Sequence, residues 1–284
     1  MSEASSKITE FMRLERIEED IFRGESRDLG TPQVYGGQVL GQALHAARQT
    51  VEGREAHSVH AYFLRRGDFE APIVYQVDRS RDGGSFSARR VVAIQHGKPI
   101  FTLSASFQAS EPGLDYYVPA DMPATPEELT ALGLLTPDEG RHTIRILASD
   151  FDVFKVKLRD GEAPPANHSR RWWIKVHHRL PDTIDLHHTI LAYVSDFGLL
   201  YAALAHHAEN DAARKKLMQN IQLASIDHTI WFHRPFRVDD WLLYDCRAVS
   251  NSGARACAQG SFYTSDGVLV ATTFQEGLAR PHDS

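Results

Sequence analysis

Two stretches of the chain carry the same succession of apolar and polar positions, one over residues 62–108 and one over residues 231–275. Phe63 aligns with Phe232, Arg65 with Arg234 and Tyr75 with Tyr244 at a single offset. After a short gap Ala88-Arg89 aligns with Ala254-Arg255, and Ser106-Phe107-Gln108 with Thr273-Phe274-Gln275. Each stretch opens on a β-rich run (72–77 and 241–246) and meets a turn signal, Asp82-Gly83-Gly84 or Asn251-Ser252-Gly253. A partly alternating strand follows (86–95 and 254–264), and His96-Gly97 or Asp266-Gly267 closes a hairpin into a last strand (100–107 and 268–274). Ahead of each meander lies a helical pattern: Val39, Leu40, Ala43, Leu44 and Ala47 in the first half, Leu199, Leu200, Ala203 and Leu204 in the second. Gly36-Gly37 and Ser195-Asp196 are the predicted helix starts. An apolar helix followed by a long antiparallel meander predicts a sheet wrapped around a central helix. Because the pattern occurs twice, the expectation is an α+β double hotdog.

The halves are separated by a proline-rich stretch, residues 110–138, holding Pro112, Pro119, Pro123, Pro126 and Pro137. The expected organisation is an N-terminal hotdog over 1–110, a linker over 111–145 and a C-terminal hotdog over 146–284. Within the last, residues 160–170, with Pro164-Pro165, read as a loop, and 171–179 as a further strand.

Composition narrows the function classes. The 284 residues are 42% hydrophobic and 24% charged, with a formal net charge of -6. That balance offers no electrostatic footprint for nucleic acid or an anionic membrane. The two cysteines, Cys246 and Cys257, are expected to be thiols of a reducing cytoplasm. The polar first twenty residues do not read as a signal peptide, no apolar run approaches membrane-spanning length, and the final residues PHDS are not a peroxisomal S-K-L address.

Several chemistries lack their motifs. Gly83-Gly84-Ser85-Phe86-Ser87 misses the last glycine of a nucleophile elbow, and there is no glycine-rich phosphate loop, H-E-x-x-H or C-x-x-C. The adjacent pairs His177-His178, His187-His188 and His206-His207 diverge in direction and are poor chelates, so neither metal nor cofactor is expected. Attack of an activated water on a reactive ester remains. It needs a base, polar groups that hold the water and a donor for the oxyanion. Asp196, at a predicted helix start among apolar residues, fits the base, although a plain N-cap would look the same. Ser225 and Gln275 fit the orienting groups, although each also reads as an ordinary strand residue. By alternation Asp227 shares the face of Ser225 and rivals Asp196 as the base, while His228 points the other way.

The segments VYGGQVLGQAL (34–44), HSVHAYFLRRGD (57–68) and DGGSFSARRVVAIQHGKPIFTLSASFQ (82–108), with YVSDFGLL, ASIDHTIWFHRPF and DGVLVATTFQEGLAR in the second half, resemble the bacterial acyl-CoA thioesterase II family and its eukaryotic peroxisomal relatives. The resemblance covers nearly the whole chain. It implies hydrolysis of fatty acyl-CoA by a water that Asp196, Ser225 and Gln275 orient, with Ser225 standing where family members often have Thr. It settles Asp196 over Asp227 and links His57 to activity. It also implies one site per chain, because the first half has Gly36-Gly37 where the second has Ser195-Asp196, and its Gln108 lacks that partner. Helix-end geometry nominates the Gly37 or Gln38 backbone N–H as oxyanion donor. Arg65, Arg89, Arg90 and Arg234 are the candidates for the CoA phosphates, with the acyl chain in an apolar tunnel between the halves. A homodimer or homotetramer is expected. The competing readings are a hotdog hydratase or dehydratase, which needs an Asp and a His facing the substrate together, and a non-catalytic acyl-CoA binding protein.

Overall fold

The computed structural model describes residues 7–31, 33–132, 150–156, 170–208 and 211–282. Pro137 and the predicted loop with Pro164-Pro165 lie outside the described residues. Helix α1 (Lys7–Met12) precedes a short hairpin, β1 (Glu15–Glu18) and β2 (Ile21–Gly24). Helix α2 (Gly36–Arg48) leads into β3 (Glu55–Phe63), β4 (Ile73–Asp82), β5 (Phe86–Gln95) and β6 (Lys98–Gln108). After α3 (Pro126–Ala131) come β7 (Phe151–Lys155), β8 (Arg170–Val176), α4 (Ile184–Ser195), α5 (Leu199–Ala203) and α6 (Asp211–Gln219). The chain ends in β9 (Ile221–Ser225), β10 (Asp227–Phe232), β11 (Leu242–Ser252), β12 (Arg255–Thr264) and β13 (Leu269–Pro281).

All these strands join one antiparallel sheet in the order β1-β2-β4-β5-β6-β3-β10-β13-β12-β11-β8-β7, with β9 added beside β13. The order is a mirror image about the β3–β10 seam, so the two hotdogs of the double hotdog share a single sheet. Hairpin chemistry follows the sequence. His96-Gly97 (φ 49° and 71°) and Gly253-Ala254 (φ 56° and 58°) are two-residue loops with both residues in the left-handed region, as the strand twist demands.

Cross-strand partners fix the register of the repeat and correct its sequence alignment. Tyr75 faces Ala93 as Tyr244 faces Phe262, and Ala93 faces Phe101 as Phe262 faces Ala271. Counting along β6 and β13 from Phe101 and Ala271 makes Ala105, not Gln108, the counterpart of Gln275. Counting along β5 and β12 makes Cys257-Ala258, not Ala254-Arg255, the counterpart of Ala88-Arg89. The alignment by residue identity differs from the register by three positions on both strands, so it sets Gln108 against the buried Gln275 although the two face opposite sides of the sheet. The irregularities repeat too. Ala56 and Ser58 pair with successive residues of β6, leaving His57 as a bulge, and Ile226 is the matching extra residue between β9 and β10.

The apolar faces predicted for the helices are buried. Val39, Leu40, Ala43, Leu44 and Ala47 of α2 meet the inner face of the first half, and Leu199, Leu200 and Ala203 of α5 meet β11 and β12. The pattern did not reveal α4. Every residue from His187 to Ser195 is buried, the polar His187, His188 and Thr189 included, so no exposed face sets a period. Helix α4 lies against α2 along a line of glycines. A Cβ on Gly37 would sit 2.1 Å from the Tyr193 carbonyl oxygen, and one on Gly41 3.0 Å from that of Thr189. Gly37 and Gly41 of YGGQVLG are therefore demanded by close helix approach.

Candidate active site

Asp196 is the residue at which α4 ends; it does not begin the helix that follows. Two residues later Gly198, at φ 75°, turns the chain into α5. A carboxylate at a helix C-terminus faces the negative end of the peptide dipoles. The compensation comes from the other half of the molecule. The Gly37 N–H, in the first turn of α2, donates to Asp196 Oδ2 at 3.0 Å. The second carboxylate oxygen, Oδ1, accepts from Gln275 Nε2 at 2.5 Å, and the same nitrogen donates to Ser225 Oγ at 3.0 Å. Residues from α4, β9 and β13 thus converge on one point beside the N-terminus of α2.

Burial raises the Asp196 pKa above the usual carboxylate value, and the hydrogen bonds from Gln275, Gly37 and Ser225 oppose that rise. Gln275 is 1% exposed, and its Oε1 has no hydrogen-bond partner among the described residues. Gly36 covers the carboxylate on the remaining side. A Cβ there would lie 2.8 Å from both Asp196 Oδ2 and the Phe63 ring. A cavity of about 270 Å³ opens at this place, lined by Gly36, Val39, Phe63, Arg65, Arg66 and Ser225 among others.

The other sequence candidates fall elsewhere. Ser225 pairs with Gly277 and Thr229 with Phe274, so four steps on one strand answer three on the other. That bulge cancels the simple alternation between Ser225 and Asp227. The Asp227 carboxylate turns to accept the Glu276 N–H at 2.7 Å and is not part of the cluster. The nominated oxyanion donors are both committed: Gly37 N–H to Asp196, and Gln38 N–H to the Tyr35 carbonyl at 3.0 Å. His57 lies on the outer face of β3, bonded to Ser106 Oγ at 2.8 Å and edge-on to Phe86, with no contact to the three residues.

Of the four arginines only Arg65 lines the cavity. Arg89 is 2% exposed and is consumed by Thr50, Asp82 and the Arg81 carbonyl. Arg234 is held by Asp115, by the Tyr116 and Leu269 carbonyls and by the Tyr117 ring, so it clasps the linker. Arg90 sits exposed on β5, away from the cavity lining. Arg66, which the repeat alignment passed over because it has no arginine counterpart, does line the cavity. In the first half the counterparts of Ser225 and Gln275 are Ala56 and Ala105, both buried and neither able to hold a water.

Known proteins resemble this chain in sequence and in fold. Residues 149–278 match the model of the acyl-CoA thioesterase family, and residues 25–108 that of the acyl-CoA thioesterase N-terminal domain. Acyl-CoA thioesterase 2 of Haemophilus influenzae is 38% identical over 290 aligned residues, covering 99% of each chain. Human acyl-coenzyme A thioesterase 8 is 33% identical over 96% of this chain and 88% of its own length. The crystal structure of an acyl-CoA thioesterase II from Mycobacterium marinum superposes with a TM-score of 0.80 at 40% identity, over 98% of both chains. With its two hotdogs sharing one sheet and relatives aligned end to end, the chain belongs to the acyl-CoA thioesterase family.

Proposed function

We propose that this enzyme hydrolyses fatty acyl-CoA to a free fatty acid and CoA, with Asp196 as general base and Ser225 and Gln275 as the groups that hold the attacking water. The observation that carries this reading is the convergence, within hydrogen-bond distance, of three side chains far apart in sequence, beside a cavity. A partly desolvated carboxylate with a raised pKa is a stronger base than one in water. It takes a proton from the water as oxygen attacks the thioester carbon. Collapse of the tetrahedral intermediate breaks the C–S bond, and the carboxylic acid returns its proton to the leaving thiolate. Arg65 and Arg66 supply positive charge at the cavity for the CoA phosphates, and Phe63, Ile100 and Phe101 supply an apolar wall for the acyl chain. The hydratase reading loses its support because Asp227 is spent on Glu276 and His228 is fully buried.

Thiol release from palmitoyl-CoA and hexanoyl-CoA tests the proposal. Asp196→Asn is expected to lose about 10²–10⁴ of kcat, the usual worth of a general base. Unchanged turnover in that variant would remove Asp196 from the mechanism, and a wild-type protein inert to every fatty thioester would leave the binding-protein reading. We further propose a cytoplasmic enzyme, on the strength of two unpaired cysteines, and a homodimer or homotetramer, which sedimentation will distinguish.

A further inference from the structure

We infer that His228 and Tyr244 are positioning residues that grip the Ser195-Asp196 peptide from behind and so aim the Asp196 carboxylate at the water; this rests on Asp196 being the base. Ser195 is the last residue of α4, and it is 0% exposed. Its hydroxyl donates to the Ala192 carbonyl at 2.9 Å and lies 2.9 Å from His228 Nε2. With the hydroxyl proton committed to Ala192, the imidazole must be the donor, so Nε2 carries the hydrogen. Nδ1, which has no partner among the described residues, then holds a lone pair; a proton there would be a buried donor with nothing to receive it. Burial keeps this ring neutral, lowering its pKa to about 3. The Ser195 carbonyl would be an orphan of the helix end, and it accepts the Tyr244 hydroxyl at 2.6 Å. Both polar side-chain and main-chain acceptors of Ser195 are thus held by the sheet of the second half, through β10 and β11.

The β9–β10 segment takes hold of this dipeptide on two sides. Ser225 reaches the carboxylate cluster in front of it, and three positions later His228 reaches Ser195 at its back. Only the bulge between them allows both, and Asp227 ties that bulge to the Glu276 N–H. Read this way, Ser-Ile-Asp-His is one device: a contact to the site, an extra residue, a clamp on the bulge and a brace behind the base. A carboxylate that must meet a water within a few tenths of an ångström gains from such bracing.

The test uses the full-length enzyme, steady-state thiol release from palmitoyl-CoA and a melting curve for each variant. His228→Leu removes the donor and is expected to lower kcat at least tenfold while KM stays within twofold. His228→Gln places an amide N–H near the position of Nε2 and is expected to recover most of that loss. Tyr244→Phe, which removes one oxygen and keeps the packing, is expected to lower kcat severalfold and serves if His228→Leu fails to fold. Retention of wild-type kcat in His228→Leu or Tyr244→Phe, with Asp196→Asn inactive, overturns the bracing and leaves the base in place. Equal losses in His228→Leu and His228→Gln, tracking a common fall in melting temperature, overturn it in favour of plain packing. A fully active Asp196→Asn overturns both.

Discussion

At Asp196 a residue useful for chemistry is a cost to the fold. Its folded-state pKa lies above its value in the unfolded chain because burial outweighs the hydrogen bonds to Gln275, Gly37 and Ser225. The native state therefore binds the proton more tightly, and stability drains as pH rises from the ordinary carboxylate value through the raised one. Asp196→Asn should accordingly melt no lower than wild type at neutral pH, and differential scanning calorimetry checks this. Catalysis has the opposite sign, since the base works only when ionised. The acid limb of kcat/KM should fall at a pH above that of an unperturbed aspartate, and a limb at or below it would contradict the buried-base picture. Gly36 is the other residue whose chemistry is spatial. Gly36→Ala must push on Asp196 Oδ2 and on the Phe63 ring, both 2.8 Å from the new carbon. Overpacking of this kind costs about 1–3 kcal/mol, and kcat should fall by at least tenfold because the displaced group is the base.

Elements meet at the site through two irregular features, a helix ending and a strand bulge. Asp196 stands in the bend between α4 and α5, and Ser225 on the near side of the β9–β10 bulge. Asp227→Ala leaves the Glu276 N–H without its acceptor, at a cost of about 1 kcal/mol or more, visible as a lower urea midpoint. Thiol release should fall with it, by less than in Asp196→Asn, since the variant loosens Ser225 and keeps the base. A loss as deep as that of Asp196→Asn would restore Asp227 as the rival base. The meanders, their turns and the helical faces of α2 and α5 were legible in the sequence because each presents a half-buried surface with a period. Helix α4 was not, being buried on every side from His187 to Ser195, and the bulges were not, because one extra residue only shifts the phase of an alternation that is itself partial.

For the whole molecule, the mirrored strand order makes one sheet of two hotdogs, and the base of one half is held by the helix of the other. The halves share the β3–β10 seam and the α2–α4 contact, so they should unfold together. All four tryptophans, Trp172, Trp173, Trp231 and Trp241, lie in the second half. Trp172, Trp173 and Trp241 therefore report the second half and Trp231, edge-on to His60, the seam, while far-UV circular dichroism reports both halves. Coincident urea transitions are expected; a fluorescence change separated from the dichroism change would show independent halves.

The order of apolar and polar residues settled the meander strands and the repeated plan, because periodicity and turn chemistry act over a few neighbours, whereas the choice of Asp196 over Asp227 came from the family resemblance and not from the pattern. Tertiary structure alone decided that Gln275 answers to Ala105 and not to Gln108, that Arg89 and Arg234 are structural, and that the Gly37 N–H serves the carboxylate and leaves no donor there for an oxyanion. Those outcomes depend on register across a shared sheet and on how near two helices can come, and such distances arise only when strands and helices remote from one another along the chain are packed together.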